Sequence, residues 1–398
     1  MSGKIRVAIV VSHPIQHFIH LYRALAKEPG LELLVIFATD IGVRSYFDKD
    51  MNVEIVWKTD LLSGYQSLFL PEAAGISKTG FRSVNNPSVT RALDEFRPQV
   101  VQLHGYSQLT VLRALFWCKK RGIPALIWSD SELKRQRSLW KRSLKQVVLR
   151  PLLALFSAIL TVGENNEAYY RNYGVASKRM FRTPFTIDEQ GFRAALAQRT
   201  STRVRLRREL GIPDDAFVVL MVGKLIEFKR PGDLVAALRN LLAHAPQGRK
   251  IYGLFAGDGP LRKTLESEAA GIEERCKFLG FVNVDRLPDY YVMSDALAHL
   301  SEIDAHPLSN SEAVFSGLPL VVSDRIGTIG ATDLARAGSN SLVCPCRDVA
   351  AIAGAIVALA NDPELYQRMR ESSFKIAGEL NMDASVKGFL GAVRAVTS

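Results

Sequence analysis

Short apolar runs alternate with helical patterns from one end of the sequence to the other. The predicted strands are rich in Val, Ile and Leu along their whole length, which is typical of parallel strands covered on both faces. They span residues 6–12, 31–38, 53–57, 99–104, 123–128 and 158–163 in the first half, and 217–223, 250–257, 277–280, 296–301 and 318–323 in the second. This alternation predicts an α/β protein built from doubly wound parallel sheets.

The length of 398 residues exceeds what one ordinary hydrophobic core organises. The strand series stops near Phe185 and restarts at Phe217, and no acidic residue lies between Gly191 and Arg208, an arginine-rich stretch. We interpret this interval as an interdomain linker followed by a basic helix. We therefore predict two Rossmann-like domains that face a cleft, residues 1–190 and 191–379. A C-terminal helix of about residues 380–398 is expected to pack back on the first domain.

Composition narrows the class of protein. Apolar residues make up 47% and charged residues 23%, as in globular proteins. The net charge of +11 favours anionic partners such as nucleotides or an acidic membrane surface. We expect no nucleic-acid partner, because no RNA- or DNA-binding motif accompanies the charge. No apolar run reaches the roughly 18–20 residues of a membrane-spanning helix, and the first residues pass directly into a strand pattern, so we expect a cytoplasmic protein. The four scattered cysteines are expected to be reduced.

The loop after the strand predicted at 217–223 carries two lysines. Gly223 permits a tight turn, and Lys224 and Lys229 precede a predicted helix that starts at Pro231. Two ammonium groups beside a helix N-terminus can hold a diphosphate. The alternative is a pair of solvated lysines. The next strand ends in the Gly-rich turn 257–259, which suits either close approach of a ligand or a plain tight turn.

Two carboxylates lie eight positions apart in the stretch 301–324. Ser309 to Glu312 fits a capping box, in which Glu312 would serve the first turn of a helix. Capping does not account for Asp304, which lies upstream in the loop after a strand. In the alternative interpretation, Glu312 accepts hydrogen bonds from the two hydroxyls of a ribose and Asp304 binds a sugar hydroxyl. The free amides of the helix would then face a phosphate.

These motifs follow one another in a specific order. The chain reads G-K-x4-K-R-P, then G-D-G-P-L, then F-x-G-F-V-N, then an acid and seven residues before E-A-x3-G-x-P-x-V-x-S-D. Over roughly residues 217–345 this series resembles the donor domain of glycosyltransferase family 4. Those proteins are retaining enzymes with two Rossmann-like domains, the GT-B architecture, so the resemblance implies that fold and a nucleotide-diphosphate sugar as donor.

The resemblance implies roles for individual residues. Lys224 and Lys229 would bind the donor diphosphate, Glu312 the ribose, and Asp304 the transferred sugar. Asp304 stands where the family usually has Glu, a carboxylate that reaches about 1.5 Å further. No metal ion is expected, because the lysines and a helix N-terminus would meet the charge of the leaving diphosphate. The remaining predicted donor-binding residues lie in the same loops: Gly223, Gly257, Asp258, Gly259, Phe281, Val282, His306, Pro307, Leu308 and Ser309.

The first half agrees with the family in outline. His104 ends a predicted strand and resembles the family's histidine near the acceptor, so we predict a catalytic role, with a structural histidine as the alternative. His13 and His17 stand where the family often has a glycine-rich loop, and they are candidate acceptor-binding residues. Asp130 and Glu132 follow another predicted strand and are candidate ligands for acceptor hydroxyls.

Residues 133–150 form a predicted helix with seven basic residues and no acidic one. One interpretation is a helix that lies on an anionic bilayer. The other is a helix that faces the protein core and exposes a solvated basic face. Its predicted apolar side consists of Leu133, Leu139, Trp140, Leu144, Val147 and Val148.

The sequence thus predicts a retaining glycosyltransferase of the GT-B type that moves a hexosyl unit from a UDP- or GDP-sugar. The acceptor would be a glycan, a lipid-linked molecule or a small molecule, in the synthesis of cell-surface polysaccharides or glycoconjugates. Two alternatives stay open. One is a catalytically silent protein that binds nucleotide sugar within a membrane assembly, and the other is a nucleotide-sugar epimerase or hydrolase with the same two-domain fold. We expect a cytoplasmic location, with a peripheral site on the inner face of the plasma membrane as a further option.

Overall fold

A computed structural model describes residues 3–43, 46–48, 53–55, 60–133, 139–244 and 250–397. The strands are β1 Ile5–Val11, β2 Leu31–Phe37, β3 Tyr46–Asp48, β4 Val53–Ile55, β5 Gln66–Phe69, β6 Val100–His104, β7 Ala125–Trp128, β8 Ala158–Thr161, β9 Met180–Arg182, β10 Phe217–Val222, β11 Ile251–Ala256, β12 Cys276–Gly280, β13 Ala296–His299, β14 Leu320–Ser323 and β15 Ser341–Cys344. The α-helices are α1 Gln16–Ala26, α2 Val89–Phe96, α3 Leu109–Arg121, α4 Leu139–Ala154, α5 Glu164–Asn172, α6 Glu189–Ala197, α7 Arg199–Leu210, α8 Pro231–His244, α9 Arg262–Glu268, α10 Leu287–Met293, α11 Leu308–Phe315, α12 Val349–Asn361, α13 Pro363–Glu379 and α14 Met382–Thr397.

The strands form two large parallel sheets. The first has the order β5-β2-β1-β6-β7-β8-β9, and the second has the order β12-β11-β10-β13-β14-β15. Each neighbouring pair within them runs parallel, and most connections contain a helix. The predicted α/β class with two doubly wound parallel sheets is confirmed. The strand predicted at 53–57 does not join a large parallel sheet. Its described part, β4, pairs with β3 in a separate two-stranded sheet, and residues 56 and 57 lie outside the described residues.

The chain divides into two compact units. The first comprises Met1–Tyr46, Thr59–Ile187 and Asn381–Ser398, and the second comprises Phe47–Lys58 and Asp188–Leu380. The main division therefore lies between residues 187 and 188, where the sequence had suggested 190 and 191. The C-terminal helix α14 is part of the first unit.

In the first unit, the central strand β1 buries both of its faces. Val7 and Ile9 pack with residues of α1 and α14, whereas Ala8 and Val10 pack with residues of α2, α3 and α4. This explains the continuous apolar run, since alternate residues face opposite helical layers. Helix α14 lies close to the sheet: a Cβ added at Gly388 would be 1.9 Å from the carbonyl oxygen of Arg182.

The arginine-rich interval contains the predicted basic helix, α7, but the linker predicted before it is wrong, because that part forms helix α6. Both helices belong to the second unit, and α7 does not expose all of its arginines. Arg207 is completely buried, and its guanidinium donates to Asp295 at 2.8 Å and to the carbonyl of Ala216 at 2.9 Å. Arg203, one turn earlier, donates to the same carboxylate at 2.9 Å. A buried charge needs such partners, so this ion pair fixes α7 to the sheet.

Within the described part of the chain, no single helix has the length and apolar character to cross a membrane. The adjoining segments Val349–Asn361 and Pro363–Thr397 satisfy the requirement only as a bent pair and only by length and composition, as core helices also do.

Candidate functional site

Two loops at the carboxyl ends of β10 and β11 interlock through glycine. A Cβ added at Gly257 would lie 1.9 Å from the carbonyl oxygen of Gly223, and one at Gly259 would lie 2.5 Å from that of Leu225. The amide of Leu225 donates to the carbonyl of Asp258 at 2.9 Å. These glycines are required by close packing of backbone on backbone, which places the loops that begin at Gly223 and Gly257 side by side.

The predicted lysines lie in the first of these loops. Lys224 is half-buried directly after Gly223. Lys229 ends a short 3₁₀ turn before α8, and its Nζ donates to Oδ2 of Asp304 at 2.5 Å. The side chains of Lys229 and Asp304 are 22% and 15% exposed. The structure therefore joins two predicted site residues that are 75 positions apart in the sequence.

Asp304 is held in its ionised form. Burial disfavours the charge, but the hydrogen bond from His299 and the nearby Lys229 ammonium outweigh it and lower the pKa of Asp304 to about 2. The backbone carbonyl of Asp304 also accepts from the amide of Gly327 at 2.8 Å, which ties this loop to the one after β14. At neutral pH the carboxylate is an acceptor in a fixed position.

The capping box predicted for Ser309 to Glu312 is wrong. Helix α11 already begins at Leu308 with Pro307 as its N-cap, no side chain caps it, and Glu312 is its fifth residue. Pro307 suits this start, because its ring fixes φ near −64° and its ψ of 121° is extended, so the helix begins at the next residue. Glu312 therefore does not act as a first-turn cap.

Glu312 is instead held by Tyr291 on α10. The phenol donates to Oε2 of Glu312 at 2.6 Å. Burial raises the pKa of Glu312 to about 7, against the smaller lowering effect of that hydrogen bond. The carboxyl of Glu312 is therefore half-buried and has a pKa near neutrality. Such a shifted pKa is frequent among functional carboxyls.

Two site residues were missed in the sequence analysis. His299 ends β13 and lies between Asp304 and Ser309, and Tyr291 lies on a helix with mostly apolar neighbours. The only sequence signal for His299 is a histidine inside the apolar run ALAHL. Tyr291 gives no signal, since tyrosine is common in buried helices.

The other predicted donor-binding residues lie in the same loops of the second unit. His306, Pro307 and Ser309 are buried, and Leu308 is half-buried. Asp258 accepts from the amide of Gly259 at 2.8 Å and from Arg262 at 3.0 Å, so its carboxylate shapes the turn. Phe281 and Val282 are half-buried directly after β12.

The three predicted histidines of the first unit lie near the carboxyl ends of the neighbouring strands β1 and β6: His13 follows β1, His17 lies in α1, and His104 ends β6. His104 Nε2 lies 3.0 Å from the hydroxyl of Tyr22, and its ring contacts Phe18 with centroids 4.5 Å apart. Burial, with the charges of His17 and His13 adding to it, lowers the pKa of His104 to about 3. His13 Nδ1 lies 2.8 Å from Ser12 Oγ. All three histidines are half-buried, and His104 is neutral at physiological pH.

The loop after β7 carries the predicted acids of the first unit. Asp130 is exposed and Glu132 is half-buried. The Asn166 side-chain amide donates to the carbonyls of Ser129 at 2.9 Å and Ser131 at 2.7 Å, which fixes the loop around them. Both acids thus follow a strand adjacent to β6, at the same end of the sheet as His104.

Helix α4 covers part of the predicted basic helix, while residues 134–138 lie outside the described residues. Val147 and Val148 are 72% and 55% exposed, and Leu133 is 44% exposed. Leu149 on the opposite side is buried. These three residues therefore do not face the core, whereas Leu149 and Leu153 of the same helix do, so α4 contacts the core through other residues than those predicted.

No group of three or more His, Cys, Asp and Glu side chains that could hold a metal ion occurs among the described residues.

Comparisons with known proteins place this geometry in context. Residues 202–376 match the family described as Glycosyl transferases group 1. D-inositol 3-phosphate glycosyltransferase of Acidothermus cellulolyticus is 32% identical over 230 residues, which are 56% of this chain and 49% of that protein. Alpha-monoglucosyldiacylglycerol synthase of Acholeplasma laidlawii is 33% identical over 128 residues, 31% of each chain. This chain spans about half the length of the first curated relatives it matches.

Among solved structures, Anabaena HepE in complex with UDP-glucose is similar over 98% of this chain and all of that one, with a TM-score of 0.70 and 16% identity. At this identity the likeness shows the fold alone. The chain therefore has the two-domain GT-B fold, and its residues 202–376 carry the pattern of the group 1 glycosyl transferases.

Proposed function

We propose that this protein is a retaining glycosyltransferase that moves a hexosyl unit from a UDP- or GDP-sugar to an acceptor. The observation that carries the proposal is the Lys229–Asp304 contact at 2.5 Å, close along the chain to Glu312, inside a segment that matches the group 1 glycosyl transferases. A basic side chain and fixed carboxylates at the carboxyl ends of parallel strands suit a ligand that combines a diphosphate with sugar hydroxyls.

In the proposed mechanism, the main task of the site is to stabilise the charge that builds on the leaving diphosphate. Lys224 and Lys229 supply positive charge, and the amides at the start of α11 supply hydrogen-bond donors. No metal ion is required in this scheme. Lys229 would exchange part of its contact with Asp304 for a phosphate oxygen when donor binds.

Asp304 would then bind a hydroxyl of the transferred sugar, and Glu312 would bind the ribose. Retention of configuration needs no separate base, because a leaving phosphate oxygen can take the acceptor proton on the same face. The rival scheme uses a carboxylate nucleophile, as retaining glycosidases do. His104, His13, His17, Asp130 and Glu132 are the proposed acceptor-side residues.

For the acceptor, we propose a chemical class and not an individual molecule. The name of one relative specifies inositol 3-phosphate, and the name of another specifies the synthesis of a glycolipid, monoglucosyldiacylglycerol. A glycan, a lipid-linked molecule or a small molecule therefore all suit this fold. The exposed valines of α4 favour a lipid-linked acceptor at the inner face of the plasma membrane.

The proposal is tested by thermal shift with UDP, GDP and ADP. At least one nucleotide should raise the melting temperature of the wild type, since a ligand at about 100 times its Kd adds about 2.7 kcal/mol to stability. Glu312→Ala should abolish that rise, whereas the exposed control Glu274→Ala should keep it.

A wild type that no nucleotide stabilises would refute the proposal. If a nucleotide binds but no nucleoside diphosphate is released from UDP- or GDP-sugars with acceptor extracts, the protein is a silent nucleotide-sugar-binding partner. Conversion or hydrolysis of the donor without an acceptor would instead indicate an epimerase or hydrolase.

A further inference from the structure

His299 is a buried histidine with polar partners on both ring nitrogens. It is the last residue of β13 and only 4% exposed. Its Nδ1 lies 3.0 Å from Ser309 Oγ, in the first turn of α11. Its Nε2 lies 3.0 Å from Asp304 Oδ2 and 3.0 Å from Ser301 Oγ. The imidazole thus bridges helix α11 and the Asp304 carboxylate.

The partners determine which ring nitrogen carries the proton. Asp304 is ionised and can only accept, so Nε2 of His299 donates to it. Burial lowers the pKa of His299, although the Asp304 carboxylate opposes that effect, so the ring is neutral and Nδ1 accepts from the Ser309 hydroxyl. The result is one directed chain of hydrogen bonds from Ser309 through His299 to Asp304.

This chain fixes one oxygen of the carboxylate. Both His299 Nε2 and Lys229 Nζ donate to Oδ2 of Asp304, so neither of them uses Oδ1. Lys229 is on a flexible stem and is the proposed diphosphate ligand, whereas the imidazole is rigid and enclosed. When a phosphate draws Lys229 away, His299 remains as the donor that holds the carboxylate in place.

We propose that His299 is a positioning residue that orients Asp304 so that Oδ1 binds a hydroxyl of the transferred sugar. Its contribution then belongs to recognition of the sugar and not of the nucleotide. This inference rests on the proposed function, since it assigns the sugar contact within the same site.

Two substitutions separate the contacts of the ring. In His299→Gln the side-chain amide reaches the position of Nε2 and can still donate to Asp304. In His299→Asn the amide reaches only the position of Nδ1, near Ser309. Affinities of both variants and the wild type are measured by calorimetry for UDP, UDP-glucose, UDP-N-acetylglucosamine, GDP and GDP-mannose, with thermal melts to check folding.

We expect His299→Asn to weaken binding of the preferred nucleotide sugar by about 10-fold, the typical effect of losing a hydrogen bond to a charged group. Binding of the matching nucleoside diphosphate should change by less than about 2-fold, because that ligand lacks the sugar. His299→Gln should restore most of the lost affinity. Ser309→Ala removes the hydroxyl that donates to Nδ1, and it should also weaken binding of the nucleotide sugar, by a smaller factor. This variant replaces His299→Asn in the test if His299→Asn does not fold.

Equal losses for the nucleotide sugar and the nucleoside diphosphate would overturn the inference, as would wild-type affinity in His299→Asn. If His299→Asn does not fold, unchanged sugar affinity in Ser309→Ala would overturn it. If the wild type binds a nucleoside diphosphate and gains no affinity from any sugar, the nucleotide site stands and the inference fails. A wild type that binds none of the five ligands contradicts the proposed function itself.

Discussion

At the scale of single residues, Glu312 places an ionisable group where burial opposes its charge. Its folded-state pKa of about 7 lies above the ordinary value of 4.5. The folded protein therefore binds more protons than the unfolded chain between these values, and its stability falls as the pH rises through that window. A carboxyl that lowers stability at neutral pH is consistent with a functional role.

Glu312→Gln should therefore stabilise the ligand-free protein at about pH 8, by on the order of 1–3 kcal/mol, and have little effect below about pH 4.5. The amide removes the cost of the buried charge and keeps an acceptor for Tyr291. Urea denaturation at both pH values measures the difference. Glu274→Gln, at an exposed position, is the matched control and should have little effect at either pH. A gain that does not depend on pH would contradict the explanation.

The sequence indicated the carboxylates and lysines of the site but not their partners. Asp304 and Glu312 stand out because of their spacing and of the ordered series of motifs around them. His299 and Tyr291 lie inside apolar patterns, where a histidine or tyrosine is usually a core residue. Only tertiary structure brings Lys229 to Asp304 across 75 positions, so local patterns cannot predict that contact.

At the scale of elements, helix α4 combines basic residues with exposed valines. Val147 and Val148 add apolar surface to a helix whose sequence from 139 to 150 contains no acidic residue. Exposed apolar side chains next to positive charge suit the interface of an anionic bilayer. The proposed membrane contact therefore depends on both features.

The double variant Val147→Ser and Val148→Ser should bind anionic vesicles about 10-fold more weakly, since each valine would lose much of its hydrophobic transfer free energy. Co-sedimentation with vesicles of phosphatidylcholine and phosphatidylglycerol measures the binding. Val204→Ser on α7, which is also an exposed valine, should bind like the wild type. Equal binding of the double variant, or a wild type that does not bind at low salt, would show that α4 is not a membrane contact.

The central strands and the edge strand β12 were predicted from sequence, and the other three edge strands of the two large sheets were not. β1, β6 and β10 are buried on both faces, so each gives a continuous apolar run. β5, β9 and β15 lie at the edges of the two sheets, have only three or four residues and are partly exposed, so their patterns are weak. Buried Arg207 shows a similar limit, because an arginine in a basic stretch gives no sign that it faces inward.

At the scale of the whole molecule, the first unit is assembled from distant parts of the chain. Helix α14 buries Phe389, Ala392 and Val393 against the same face of the first sheet as α1. The Ser385 hydroxyl donates to the carbonyl of Pro184 at 2.5 Å. The alternation of strands and helices could predict two sheets, but it could not fix where a helix that follows the last strand packs.

Gly388→Ala should destabilise the first unit by roughly 1–3 kcal/mol and leave nucleotide affinity unchanged. The added methyl group would lie 1.9 Å from the Arg182 carbonyl oxygen, so α14 must move away from β9. Tryptophan fluorescence during urea denaturation reports mainly on this unit, because Trp117 and Trp128 are buried in its cores. Calorimetry with the nucleotide that binds the wild type follows the second unit, to which the proposed donor site belongs.

Gly391→Ala on the same helix is the matched control, since its nearest contact would be a ring atom of Phe181 at 3.4 Å, an ordinary separation. It should unfold at the same urea concentration as the wild type or at a slightly higher one, because alanine favours a helix over glycine by up to about 1 kcal/mol. If both alanine variants lose equal stability, a general effect of substitution on α14 is responsible and the close contact at Gly388 is not, because helix propensity alone favours alanine over glycine. If Gly388→Ala also abolishes nucleotide binding, the donor site depends on α14, and the two units cannot be treated as separate in function.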